Sequence, residues 1–130
     1  MSEKARSVLV VEDDPEINEL VGAYVQIAGF AYHRALNGAQ AVEQARATHP
    51  SLIVLDIMLP DFDGFEVARR LKGASDTCRI PIVMLTALDR DEYRQRGRSA
   101  GAVDYLTKPF DPDRLLDAIR ANASTNGDVT

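Results

Sequence analysis

Five side chains able to do chemistry each stand at or just past the end of an apolar run. Leu52-Ile53-Val54-Leu55 ends in Asp56, and Ser7-Val8-Leu9-Val10-Val11 ends in Glu12-Asp13. Ile80-Pro81-Ile82-Val83-Met84-Leu85 ends in Thr86, and Ala102-Val103-Asp104-Tyr105-Leu106 runs through Thr107 to Lys108. Brought together, three carboxylates and one ammonium sum to −3 + 1 = −2, a charge that one divalent cation balances. Like charges in one crevice repel unless a cation intervenes. Hard oxygen donors with no His or Cys beside them suit Mg²⁺, or Mn²⁺ in its place. A carboxylate nucleophile, a divalent cation, a lysine and a hydroxyl are the parts of a phosphoryl-transfer site.

The elements that would gather these groups follow from hydrophobic patterning. Unbroken runs rich in branched residues, such as Leu52 to Leu55, read as strands buried on both faces. Pro60 after Met58-Leu59 ends any strand there, and Asp61-Phe62-Asp63-Gly64 continues as a loop. Asp14-Pro15 reads as the cap and first turn of a helix whose Ile17, Leu20, Val21, Tyr24 and Val25 recur at helical spacing until Gly29. Phe30 to Ala35 is a less apolar strand, which predicts an edge. A second helix over residues 38–48 has a stripe of Ala41, Val42 and Ala45, and a third carries Phe65, Val67, Ala68 and Leu71. Residues 88–100 make a helix with a thin apolar stripe and Arg90, Arg94, Arg96 and Arg98 crowding it, so it is expected to be the least protected element. Asp111-Pro112 caps a last helix with Leu115, Leu116 and Ile119 inward.

Strict alternation of strand and helix, five times, predicts an α/β fold: a flavodoxin-like, doubly wound five-stranded parallel sheet in order 2-1-3-4-5, sandwiched in three layers. In such sheets ligands bind beyond the carboxyl ends of the strands, where the winding reverses. That point falls between strands 1 and 3, so Glu12, Asp13 and Asp56 are expected to meet there.

The chain has 130 residues, the size of one domain, with 45% hydrophobic and 27% charged residues. No apolar run is long enough to span a bilayer, and the net charge of −5 argues against direct nucleic-acid binding. One cysteine, Cys78, and no apolar leader predict a cytoplasmic setting. Cys78, His33 and His49 are expected to be bystanders. Residues 122–130 read as a polar tail or the start of a linker after a domain over 1–121.

The pieces Leu9-Val10-Val11-Glu12-Asp13-Asp14, Asp56-Ile57-Met58-Leu59-Pro60, Asp63-Gly64, Thr86-Ala87 and Tyr105-Leu106-Thr107-Lys108-Pro109-Phe110 resemble, in order and spacing, a receiver domain of bacterial two-component response regulators. The resemblance covers residues 7–120. It implies that Asp56 accepts a phosphoryl group from the phosphohistidine of a sensor histidine kinase or phosphotransfer protein. It implies Asp13 as a Mg²⁺ ligand, Glu12 acting through water, and the Met58 carbonyl as a further ligand. Lys108 would pair with the phosphoryl oxygens, held by a cis peptide to Pro109, and Thr86 and Tyr105 would form a switch pair in which Tyr105 turns in from solvent. The face of helix 4, strand 5 and helix 5 would carry the switched state to an output partner. A protein of this kind is a signalling phosphoacceptor, an enzyme only toward its own phosphorylation and dephosphorylation. The dimerising, winged-helix DNA-binding branch usually has an acid where this chain has Val103 and an arginine where it has Ala118, which predicts a different partner surface.

Other readings fit less well. Aspartyl-phosphate phosphatases place a second Asp two residues after the nucleophile, and here that residue is Met58. No G-x-x-x-x-G-K-[ST] or G-x-G-x-x-G follows a strand. A longer regulator with a DNA-binding or enzymatic output, of which this is the receiver, is the main alternative.

Overall fold

The structure is a computed structural model and describes residues 6–123. β1 (Ser7–Val11), β2 (Ala31–Ala35), β3 (Leu52–Leu55), β4 (Ile82–Thr86) and β5 (Asp104–Thr107) form one sheet in the order β2-β1-β3-β4-β5, every pair parallel. Between them run α1 (Pro15–Ile27), α2 (Gly38–Thr48), α3 (Gly64–Lys72) and α4 (Asp91–Ser99), and α5 (Pro112–Ala123) closes the fold. The expected topology is therefore the observed one. The tail expected over 122–130 begins inside α5, and residues 124–130 lie outside those described.

The pleat sorts the central strands into two cores. Leu9, Val11, Ile53, Leu55, Ile82 and Met84 face α2 and α3. Val8, Val10, Leu52, Val54, Val83 and Leu85 face α1 and α5. Most are at most 1% exposed, and burying each such side chain is worth about 1.5–3 kcal/mol.

Local chemistry sets the helix ends. The Asp14 carboxylate accepts from Glu16 N at 2.9 Å and Ile17 N at 3.3 Å, with Pro15 in the first turn. Asn37 caps α2 through Gln40 N at 2.8 Å, and Asp63 caps α3 through Glu66 N at 2.9 Å. His49 ends α2 in the left-handed region at φ 46° and is exposed. α4 has Arg90 at its cap position with no side-chain cap bond, and buries only Gly97.

Several details depart from expectation. Strand 5, expected over Ala102 to Leu106, is β5 at Asp104–Thr107, and α5 buries Leu115, Ala118 and Ile119 while Leu116, expected inward, is only partly covered. Expected from Leu88, α4 starts at Asp91, because the Leu88 peptide is engaged elsewhere. Expected from Ile80, β4 starts at Ile82, after Pro81, which has no N–H to give a ladder. In α1 the inward stripe is Asn18, Val21, Gly22 and Val25, and Leu20 is 49% exposed.

Candidate functional site

The register puts Val11 beside Leu55, so the next residues, Glu12 and Asp56, leave the sheet side by side. Their backbones stay tied to it: Asp56 N donates to the Val11 carbonyl at 3.0 Å and Glu12 N to the Ala35 carbonyl at 3.1 Å. Carboxylate oxygens of Glu12, Asp13 and Asp56 lie within 4.8 Å of one another. Glu12 and Asp56 are 4% and 5% exposed, and Asp13 is open to solvent.

Lys108 reaches this cluster from the end of β5, across β4. Its backbone N donates to the Thr86 carbonyl at 2.9 Å, and the Lys108-Pro109 peptide is cis. Its Nζ donates to Asp56 Oδ2 at 2.8 Å and to Glu12 Oε1. The remaining acceptors are used locally: Met58 N donates to Asp56 Oδ1 at 3.1 Å, and Asp14 N to Glu12 Oε2 at 2.9 Å. Burial raises the Glu12 carboxyl from its ordinary 4.5 to about 7, with the Lys108 hydrogen bond and charge pulling the other way. Burial disfavours the Lys108 ammonium, yet hydrogen bonds and charge from Asp56 and Glu12 hold its pKa above the usual lysine value.

The donor set fits a hard divalent cation. All three side chains offer oxygen, two are desolvated, and one lysine leaves the cluster two charges short of neutrality. Gly64 permits the close approach of α3, since its N–H donates to the Ile57 carbonyl at 2.8 Å and a Cβ there would collide with the Asp56 backbone.

Thr86 is fully buried, and its Oγ accepts from Leu88 N at 3.4 Å. Tyr105 donates its hydroxyl to the Leu88 carbonyl. The tyrosine expected to begin in solvent is thus already turned in, half-buried against Gly97 with the Arg94 guanidinium 5.0 Å from its ring centroid. Arg96 similarly covers Phe65 at 4.1 Å. The arginines that crowd α4 therefore help fasten it, each stacked pair being worth about 0.5–1 kcal/mol at an exposed site. Val103 is 53% exposed as a surface residue should be, but Ala118 is buried with Leu115 and Ile119. Its lack of charge says nothing about what this face pairs with.

Sequence reasoning passed over two positions. Asn18, fully buried, donates Nδ2 to the carbonyls of Val10 (3.2 Å), Glu12 (3.0 Å) and Ala35 (3.1 Å), and accepts from the Tyr32 hydroxyl. The signal was an amide in helical register with Val21 and Val25. Asp61 accepts from Gly38 N at 2.7 Å and Ala39 N at 2.9 Å, a contact between separate loops that spacing does not reveal. His33, His49 and Cys78 lie outside the acidic cluster, the one group of at least three potential metal-binding side chains among the described residues.

A family model described as the response regulator receiver domain matches residues 8–120. The chain is 42% identical over 114 residues to the DNA-binding dual master transcriptional regulator RpaA of Synechocystis, covering 88% of this chain and 47% of that protein. It is 44% identical over 117 residues to the phosphate regulon transcriptional regulatory protein PhoB of Escherichia coli, covering 90% and 51%. The chain thus spans about half the length of the curated relatives it matches. Among solved structures, a response regulator from Chloroflexus aurantiacus superposes with a TM-score of 0.87 at 32% identity, covering 93% of this chain and 99% of that one. The BeF3-activated receiver domain of Klebsiella pneumoniae RstA gives 0.83 at 36% identity, covering 91% and 98%. The sheet order and five helices are those of the flavodoxin-like fold of chemotaxis regulators such as Vibrio cholerae CheY4, with a TM-score of 0.85 at 31% identity over 92% of this chain and 99% of that one.

Proposed function

Because this chain belongs to the response regulator receiver domain family, we propose that it is the phosphoacceptor of a two-component phosphorelay and that Asp56 is the residue modified. The observation that supports this most is the Lys108 ammonium held between Glu12 and Asp56 at the carboxyl edge of the sheet.

In this reading a carboxylate oxygen of Asp56 attacks the phosphorus of a phosphohistidine. The O–P bond forms as the N–P bond breaks, and the electron pair returns to the imidazole of the donor. Lys108 stands where its ammonium can pair with oxygens of the arriving phosphoryl group. Glu12, Asp13, Asp56 and the Met58 carbonyl would hold Mg²⁺, which when bound supplies positive charge against the carboxylates and the phosphoryl oxygens. Burial of Asp56 keeps bulk water from competing for the position.

The donor has a surface to meet. Beside Lys108 lies a mainly apolar hollow of about 330 Å³ lined by Ile17, Leu20, Tyr24, Phe110 and Pro112. Leu20, half exposed without need of it for the core, fits a docking role for a histidine-bearing helix. On the output side, Thr86 and Tyr105 link the acceptor edge to α4, and the face of α4, β5 and α5 would pass the change to a partner or an attached domain. The relatives named as transcriptional regulators favour control of transcription as the eventual output.

The test is acetyl phosphate with Mg²⁺, read by intact mass. Wild type should gain one phosphoryl group, and Asp56→Asn, which keeps the shape but lacks the nucleophile, should stay at its unmodified mass. An equal gain in Asp56→Asn would move the assignment to another residue.

A further inference from the structure

Residues 56–63 leave the end of β3, pass Met58 and return to α3. The near end of this loop is fixed by Met58 N on Asp56 Oδ1 at 3.1 Å, and its return by Gly64 N on the Ile57 carbonyl at 2.8 Å. The far end is fixed to a different element. Asp61 takes the first two amides of α2, Gly38 at 2.7 Å and Ala39 at 2.9 Å, while α2's own cap, Asn37, takes only Gln40 N at 2.8 Å. A helix N-terminus leaves four N–H groups without partners, and here two of them are satisfied from another loop. Phe62 adds a second prong: its ring lies on Gly38 so closely that a Cβ there would come within 2.7 Å of it, and Arg70 covers the ring at 3.9 Å.

The peptide that carries the Met58 carbonyl lies between these anchors. The Met58 side chain is 57% exposed and adds no packing of its own, unlike its neighbours Ile57 and Leu59. Ile57 is buried in the core on the α2 and α3 side, and Leu59 and Phe62 pack against it, so the flanks of the loop are held while the Met58 peptide itself depends on how the far end is anchored. We propose that Asp61 is a positioning residue for the divalent-cation site: its grip on the α2 N-terminus holds the 56–63 loop, and with it the Met58 carbonyl, in the conformation that binds the ion. This rests on the reading of Glu12, Asp13, Asp56 and Met58 as the Mg²⁺ site. It adds a residue outside the ligand set and ties the metal to α2, an element that supplies no ligand.

The coupling runs both ways, because linkage is reciprocal. If Asp61 favours metal binding through the loop, bound metal favours the Asp61 grip, and the Gly38 and Ala39 amides become better protected. Groups that orient ligands typically contribute 10–100-fold to metal affinity. Asp61 acts on one backbone ligand out of four, so the low end applies, about 10-fold.

Calorimetric Mg²⁺ titration and amide exchange on the full chain test this. Asp61→Ala should bind Mg²⁺ about 10-fold more weakly than wild type, and Mg²⁺ should slow exchange at Gly38 and Ala39 in wild type but not in the variant. Asn37→Ala removes the other cap of α2 without touching the loop, and should leave Mg²⁺ affinity as in wild type. Gly38→Ala displaces the Phe62 prong and leaves the carboxylate in place, so it covers the case in which Asp61→Ala fails to fold, and it too should weaken binding. Equal affinity in wild type and the loop variants overturns the proposal while leaving the metal site standing, as does an equal loss in Asn37→Ala. Wild type that takes up no Mg²⁺ overturns the metal site itself, and the proposal with it.

Discussion

Thr86 and Tyr105 hold the two sides of one peptide unit's residue: Leu88 gives its N–H to the Thr86 hydroxyl at 3.4 Å and its carbonyl receives the Tyr105 hydroxyl. The two residues lie on neighbouring strands and meet through the first turn of the loop into α4. A phosphoryl group that draws the Thr86 hydroxyl toward Asp56 takes that hydroxyl from Leu88, and the loop is released on one side. Thr86→Ala removes the hydroxyl in advance. It should accept a phosphoryl group as wild type does, yet show smaller beryllofluoride-induced amide shift changes over residues 88–100. Indistinguishable changes in the two proteins would break the coupling.

Gly97 is where α4 makes room for Tyr105. A Cβ there would sit 3.1 Å from the ring. Gly97→Ala gains about 1 kcal/mol of helix propensity and loses a similar amount to crowding, so the melting temperature should move little. The tyrosine should move instead, giving up its bond to Leu88. Loss of nuclear Overhauser contacts between the Tyr105 ring and residue 97 in the variant is the expected sign, and retention of the wild-type contacts would contradict it.

The metal-free site should leave a mark on the pH dependence of stability. Glu12 titrates at about 7 in the fold against an ordinary 4.5, raised by burial although Lys108 opposes it. A carboxyl raised on folding contributes stability that is complete below the ordinary value and is lost as pH climbs through the folded one. In chelator, stability should therefore fall by about 1–3 kcal/mol between pH 4.5 and 7. Excess Mg²⁺, which prefers ionised carboxylates, should abolish or reverse the slope. Urea melts across that window decide it, and a flat profile in chelator would mean that the Glu12 carboxyl is not raised.

Asn18 is the most heavily bonded buried polar side chain near the site. Asn18→Ala takes a donor from three carbonyls, of which Ala35 still accepts from Glu12 N, and leaves the Tyr32 hydroxyl without its acceptor, and should cost about 3 kcal/mol, whereas Tyr32→Phe removes one bond and should cost about 1 kcal/mol. Denaturant midpoints give the order directly. Equal costs would place the value of the network in the tyrosine bond alone.

α4 should exchange its amides faster than the other four helices. It buries one glycine, lacks a side-chain cap bond and relies on arginines laid over Tyr105 and Phe65. Hydrogen exchange by mass spectrometry over residues 91–99 measures this, and protection equal to that of α5 would show the stacked arginines to be stronger than estimated.

The strands, their order and the gathering of Glu12, Asp13, Asp56 and Lys108 were legible because each rests on local runs and on the handedness of crossovers. Asn18 was not, since hydrophobic periodicity registers apolar side chains and is blind to an amide buried for the carbonyls it satisfies. Leu20 misled in the opposite sense: it sits at helical spacing but is half exposed, on a hollow that it lines together with Phe110 from far away in the chain. Asp61 could be read only as a loop residue, because its partners are 23 and 22 positions earlier. The position of Tyr105 depended on Gly97 and Arg94, a tertiary arrangement that no run of residues announces.

The two cores divided by the sheet have a consequence for who hears the signal. Ile82, Met84 and, by the same alternation, Thr86 belong to the α3 and α4 side, and Tyr105 packs there as well. Val83, Leu85 and Leu106 belong to the α1 and α5 side. Under the proposed function, a change at Thr86 would reach the α3 and α4 half of the interior first, with the sheet backbone between it and the α1 and α5 half. Odd and even positions on a strand would then act as separate channels, so that docking of a donor near α1 and output through α4 should respond to substitutions of opposite parity.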